Sequence, residues 1–135
     1  MKTLGLWALR ILAAAILLPV GYQKLIGDEM SVMLFDTLGM EPHGRIIIGV
    51  VEIIAALLLL SPLAATGALL VVAVMLGAII AHVTVLGVEV GGDGGRLLAM
   101  LATVFVSGTT VLVALRHQLP IIGHTLDRTG DERLP

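Results

Sequence analysis

The chain has 135 residues, 58% of them hydrophobic and only 13% charged, against the roughly 25% charged residues usual in soluble domains. With a mean hydropathy of +1.07 it reads as one integral membrane domain over residues 1–135, too short for a second domain or a separate soluble catalytic unit. The absence of cysteine excludes a disulfide relay, a cysteine-ligated iron–sulfur cluster and a thiolate nucleophile, and a net charge of -2 excludes a basic nucleic-acid footprint.

Four spans are predicted, each near the ~20 residues that cover ~30 Å of hydrocarbon, giving an all-α membrane protein built as a four-transmembrane-helix bundle. The first runs from about Leu4 to Val20, with a continuation through Lys24 left open, and Trp7 and Tyr22 lie ~22 Å apart, as aromatic belts at the two interfaces require. Pro19 is expected to kink its last turn. Lys2 and Arg10 before the apolar run Ile11 to Val20 also suit a signal peptide, but no small-x-small cleavage site follows, so a retained span is expected.

The first outer loop carries its own periodicity. Met30, Met33, Leu34 and Leu38 recur at three- and four-residue spacing between Asp28, a fair N-cap, and Gly39, a fair stop, which predicts a short interfacial helix. Its methionine face suits packing better than ligand binding. The second span opens at Pro42 and ends at Leu60. Ser61–Pro62 is then the one polar break in an apolar run too long for a single crossing. It reads as N-cap plus first-turn proline, which makes spans two and three a tight antiparallel hairpin.

Span three covers about 63–86 and span four about 97–115, joined by the glycine-rich stretch Gly91 to Gly95. Without a following Gly-Lys-Ser/Thr that stretch is a flexible turn, not a phosphate cradle. Small residues at four-residue spacing, Ala73, Gly77 and Ala81 on span three and Ala99, Thr103 and Ser107 on span four, are expected to mark the faces that bring helices together. The hydroxyls of Thr103, Ser107, Thr109 and Thr110 either bond to their own backbone or line a polar path, the former being the usual arrangement. A polar tail, 116–135, completes the chain.

For orientation, Lys2, Arg116, Arg128 and Arg133 flank the termini while Lys24, Arg45 and Arg96 lie in the opposite loops. Four against three favours cytoplasmic termini, with the 21–45 and 87–96 loops outside a bacterial plasma (inner) membrane.

The sharpest signal is charge inside apolar sequence. An ionised carboxylate at mid-bilayer costs roughly 2.5 to 3.5 kcal/mol, so Glu52, within Ile46 to Leu60, needs a cation, a bundle interior or a function. Arg10 poses the same question with the opposite sign. Measured from the outer interface, Glu52 lies ~15 Å along span two and Arg10 a similar distance along span one, so the two can pair. Lys24 is the alternative partner, and His82 lies near the outer end of span three. All four can converge on one pocket. Two readings stand side by side: a buried ion pair that fixes helix register, and a ligand or proton site. For His82 a hydrogen bond to a neighbouring helix is expected rather than metal or proton chemistry, and haem is disfavoured because bis-histidine ligation needs two histidines at suitable depth within the spans.

These residues resemble a known family. Gly21-Tyr22-Gln23-Lys24-Leu25, Phe35 through Leu38-Gly39 and Pro42, Gly49-Val50-Val51-Glu52, Gly67-Ala68-Leu69-Leu70, and Ala73 through Ala78 to His82 look like the DoxX-like membrane proteins, over roughly residues 4–115. The resemblance implies a four-helix membrane bundle in which Lys24 and Glu52 match recurring polar positions. It also implies relatives such as the small membrane subunit of a thiosulfate:quinone oxidoreductase and partners of redox-defence enzymes. Leu63, where a basic residue commonly follows the proline, and Glu41 before Pro42 depart from the pattern.

On this basis the chain is expected to be an accessory membrane component of a quinone-linked redox system. It would have no redox cofactor of its own, a quinone as candidate ligand, no metal, and a protein partner or a second copy beside it in the lipid bilayer. A structural or assembly partner without ligand chemistry is the alternative. A proton-coupled transporter is the weakest reading, since no inverted repeat or broken helix is evident.

Overall fold

The computed structural model describes residues 2–119. The predicted polar tail beyond residue 119, with Arg128 and Arg133, lies outside the described residues. Among those residues there is no strand. The elements in order are α1 (Lys2–Ile26), α2 (Glu29–Thr37), α3 (His43–Leu59), α4 (Ala64–Ala81) continued by a π-helical turn (His82–Leu86), and α5 (Arg96–Leu115) with a 3-10 turn (Arg116–Gln118).

Three stretches, Lys2–Ile26, Ala64–Leu86 and Arg96–Gln118, are long and apolar enough to cross a membrane. At 17 residues α3 spans ~26 Å, the lower end of what a bilayer needs. Side by side, α1 packs against α3 and α5, and α4 packs against the same two helices, so the four long helices surround one core. That core is made of small and branched residues, among them Ala13, Leu17, Ala55, Ala56, Leu59, Ala68, Val71, Met75, Val104 and Val111. The short α2 lies across one end, against α1, α3 and the π turn. Ser31 and Phe35 form its buried side, whereas Met33 is exposed, so the methionine periodicity marks a flank of this helix rather than its seat.

α1 is one helix from Lys2 to Ile26 with Pro19 inside it. Other local expectations need correction. Ser61 is not the N-cap of α4. Its hydroxyl donates to the Leu58 carbonyl and accepts from the Leu63 amide, closing the turn two residues before the helix starts.

The small-residue stripes also face the other way. Ala73, Gly77, Ala99 and Thr103 are exposed, and Gly77 has open space around it, while Ser107 alone of the α5 set is buried. Four-residue spacing defines a common face but not the direction in which it turns. The inward side of α4 is set by Ala64, Ala68, Val71 and Met75, and Ala73 lies ~200° round the helix from Val71. Close approach is made elsewhere. A Cβ on Gly67 would stand 2.7 Å from the Leu59 amide nitrogen, and one on Gly108 2.7 Å from Val71 Cγ1, so these glycines let α4 press against α3 and α5. Thr103 and Thr110 donate to the carbonyls four residues back, the usual arrangement, whereas the buried Thr109 hydroxyl has no hydrogen-bond partner among the described residues.

A buried ion pair between two arginine-capped helix ends

The antiparallel pair α1 and α3 carries the polar residues. Each helix ends with carbonyls that have no partner within the helix, and each end is met by an arginine from the other. Arg10, buried on α1, donates through Nε to the Leu59 carbonyl at 2.5 Å and through Nη2 to the Ser61 carbonyl at 2.9 Å, closing the C-terminal end of α3. Its guanidinium also lies over the Trp7 ring, 3.7 Å from the centroid, where the π face stabilises it.

At the opposite end Arg45, in the first turn of α3, donates to the Lys24 carbonyl near the end of α1. Its Nε is held by the Glu41 carboxylate at 2.8 and 2.9 Å. A cation at a helix C-terminus also opposes the negative end of the macrodipole, so each arginine satisfies hydrogen bonds and field together. The sequence reading takes Arg45 as a loop charge and not as a site residue. The signal for it was present in Glu41, four residues before it and able to orient it across one helical turn.

Between these capped ends lies the pair Lys24 and Glu52. Lys24 Nζ stands 3.0 Å from Glu52 Oε2, and the side chains are 12% and 3% exposed. The contact is ionic by distance, while its angles leave Glu52 Oε2 without a hydrogen bond of ordinary geometry. The helices approach closely here. A Cβ on Gly49 would stand 3.0 Å from both the Gly21 carbonyl oxygen and Lys24 Cβ, and one on Gly21 would stand 3.0 Å from the Gly49 carbonyl oxygen. Two glycines facing each other thus set the separation of α1 and α3 at the level of the ion pair.

The four polar candidates therefore do not form one pocket. Among the described residues no hydrogen bond or ion pair joins Arg10 or His82 to Lys24 or Glu52. A similar depth for Arg10 and Glu52 holds only if α1 stops near Val20. The helix continues to Ile26, which leaves Arg10 ~24 Å from that end and Glu52 ~14 Å from the start of α3.

His82, 3% exposed, donates from Nδ1 to the Gly87 carbonyl at 2.8 Å, a backbone group of its own segment and not of a neighbouring helix. The Gly87 amide in turn donates to the His82 carbonyl, and Gly87 has φ +79, so this bond pair fixes the point where the π turn ends. Beyond it, Asp93 accepts from the amides of Val90, Gly95 and Leu97 and organises the glycine-rich loop. Those three amides hold its carboxyl below the usual carboxylate range.

Beside the ion pair a narrow crevice opens between α1 and α5. Its rim is Ile16 and Val20 on α1 with Leu97 and Met100 on α5, all partly exposed, and its floor includes Met75 and Glu52, both buried. Among the described residues Glu52 is the one ionisable group that lines it, and its free space is roughly that of one water molecule.

A profile of the DoxX-like family matches residues 8–106, from the start of the α1 core to the middle of α5. The match takes in both arginine caps, the ion pair, His82 and Asp93, and the chain belongs to this family. No curated protein and no solved structure matches the chain. Family membership and three long apolar helices mark it as a membrane protein.

Proposed function

We propose that this DoxX-like protein crosses the bacterial inner membrane with α1, α3, α4 and α5, termini on the cytoplasmic side. In this reading it serves a quinone-linked redox system as an accessory component, with Lys24 and Glu52 as its ligand site. One observation carries the reading. Both buried arginines are committed to helix-end carbonyls, and His82 is committed to Gly87, whereas the Lys24–Glu52 pair caps nothing and lies beside a crevice. A buried pair is expensive to desolvate, and apolar residues of the same volume would hold two helices as well or better, so a pair kept without an architectural duty points to a ligand.

The chemistry available there is hydrogen bonding and proton exchange. Lys24 supplies up to three donors and Glu52 an acceptor, which is what recognition of a carbonyl or hydroxyl headgroup needs. Electron transfer would belong to a partner, since the side chains here carry no redox centre.

The second reading, an assembly partner with no ligand, has its own support in the Gly21–Gly49 crossing, because an ion pair at that point also fixes helix register. Purification in mild detergent with mass spectrometry of co-isolated proteins and extractable quinones separates the two readings. Quinone retained by the wild type supports the ligand site, and a stoichiometric protein partner without any quinone supports assembly. Labelling of cysteines introduced at Asp36, Asp93 and His117 tests the topology. Modification of Asp36→Cys from the cytoplasmic side alone would overturn it.

A further inference from the structure

We infer that Arg10 holds the phosphate of an anionic phospholipid, at the end of the bundle where α1 begins and α5 ends. The inference goes beyond the reading above and rests only on α1 and α3 crossing a bilayer. It starts from an imbalance of charge. Of the cations Arg10, Lys24 and Arg45, which pack into the bundle, two have a carboxylate at hand: Lys24 Nζ stands 3.0 Å from Glu52 Oε2, and Arg45 Nε 2.8 Å from Glu41 Oε1. Arg10, 8% exposed, has none among the described residues. Its partners are the Leu59 and Ser61 carbonyls and the Trp7 ring, which bring no full negative charge. A cation left uncompensated in a poorly hydrated place is costly, so the site calls for an anion from outside.

Donors remain to receive it. Nε and Nη2 make the two carbonyl bonds, and among the described residues Nη1 has no acceptor. Nor is Nη1 sealed in by protein, since the buried side-chain atoms without a partner are Glu52 Oε2 and Thr109 Oγ1. Stacking on Trp7 fixes the plane of the guanidinium, which pre-sets its free N–H groups for a phosphate oxygen.

The depth is that of lipid phosphates. α3 covers ~26 Å, close to the thickness of the hydrocarbon, so its ends lie near the two edges of that layer. Arg10 is bonded to the carbonyls that end α3 and form the turn to α4. Leu60 and Leu63 in that turn are exposed, as is Trp7, which stands where an interfacial aromatic belongs. A soluble anion gains nothing from this apolar rim, whereas a phospholipid brings chains to cover it.

The headgroup must also carry a net negative charge. No carboxylate among the described residues lies on α1, in the α3–α4 turn or on α5 and its 3-10 turn, while Lys2, Arg116 and His117 do. The ammonium of a zwitterionic headgroup would meet cations and no acid. A glycerol headgroup meets no such repulsion, and nearby cations add to its attraction.

Trp7 is the one tryptophan of the chain and touches Arg10, so its fluorescence reads the site directly. The full-length protein is reconstituted into vesicles of phosphatidylcholine and phosphatidylglycerol, with bromine, a contact quencher, placed high on the acyl chains of one lipid or the other. The ratio of the two quenching curves, taken within each protein, gives the preference of the site. Phosphatidylglycerol should be preferred about tenfold in the wild type, the worth of one charge-assisted hydrogen bond. The preference should fall to about parity in Arg10→Gln, whose amide retains N–H donors for the two carbonyls but no charge. It should persist in Arg116→Gln, which removes another cation from the same end, and circular dichroism verifies the helix content of all three proteins. Inorganic phosphate added at constant ionic strength should leave the ratio unchanged.

A wild-type ratio near one, or a preference that survives in Arg10→Gln, overturns the site. Equal loss in Arg116→Gln overturns it too, by making the preference a matter of diffuse surface charge. Displacement of phosphatidylglycerol by inorganic phosphate overturns the lipid as the source of the anion. Quenching by neither lipid takes Trp7 and Arg10 away from the bilayer and sinks the crossing of α1 as well, whereas the other outcomes leave the reading of Lys24 and Glu52 untouched.

Discussion

Neutralising one member of the Lys24–Glu52 pair should be more damaging than neutralising both. At 3.0 Å and an effective dielectric of about 20 the attraction amounts to ~5.5 kcal/mol before desolvation is subtracted. Stranding one charge of such a pair costs about 3–5 kcal/mol, whereas removing the whole pair is often nearly neutral. The structure places the two single variants within that range. In Lys24→Met the carboxylate left behind belongs to a side chain 3% exposed, so the loss should lie near the top. In Glu52→Gln the stranded ammonium is on a side chain 12% exposed, at the end of a flexible stem that can extend toward the interface, so the loss should lie near the bottom. The double variant should return to within about 1 kcal/mol of the wild type. Thermal unfolding in mild detergent, followed by circular dichroism, gives the three differences. A double variant that loses the plain sum of the single losses would show that the two charges are not coupled, and the pairing argument would fail with it.

Arg10→Leu should destabilise the α3–α4 turn by about 1.5–3 kcal/mol for each charged hydrogen bond it loses at Leu59 and Ser61, with faster amide exchange confined to the 59–63 turn; unchanged exchange there would refute the cap. Gly49→Val should force α1 and α3 apart and cost about 1–3 kcal/mol, while Gly77→Val, with open space around it, should be tolerated within about 0.5 kcal/mol, and the reverse order in a thermal-shift assay would refute the assignment of faces. Asp93 has its folded-state pKa lowered by the amides it accepts from, so the order it gives the 87–95 loop is present above the unfolded value of about 3.9 and is lost as pH falls through the folded one. Amide exchange at Val90, Gly95 and Leu97 should therefore rise below about pH 4 in the wild type and be raised already at neutral pH in Asp93→Ala. Acid-insensitive exchange in the wild type would count against that role.

The helices were legible because their signals are local. The Ser61–Pro62 break, the Asp28 to Gly39 bracket around α2 and the glycines before Arg96 each announce a boundary within a few residues, and the structure places helix ends beside them. The partners of the charged residues were less legible. Distance along a helix follows from residue count, but only from a known end, and α1 extends six residues past Val20. The direction in which a face turns does not follow from spacing at all, which is why Ala73 and Gly77 read as internal and stand outside. Arg45 was counted as a loop charge because its function depends on the Lys24 carbonyl, 21 residues away, and backbone acceptors carry no sequence signature. The π turn at His82 has none either, since it is closed by the backbone amide of Gly87, which donates to the His82 carbonyl five residues back.

The central claim is that Lys24 and Glu52 hold a ligand and do not merely lock α1 to α3. Quinone retained per mole of protein, measured by mass spectrometry after purification in mild detergent, tests it most directly when the wild type is compared with the charge-free Lys24→Met/Glu52→Gln double variant, whose fold is checked by circular dichroism. The account predicts bound quinone in the wild type and a loss of about tenfold or more in the double variant, as expected when a charged hydrogen bond is removed. Equal retention by the two folded proteins would make the pair architectural and contradict the account.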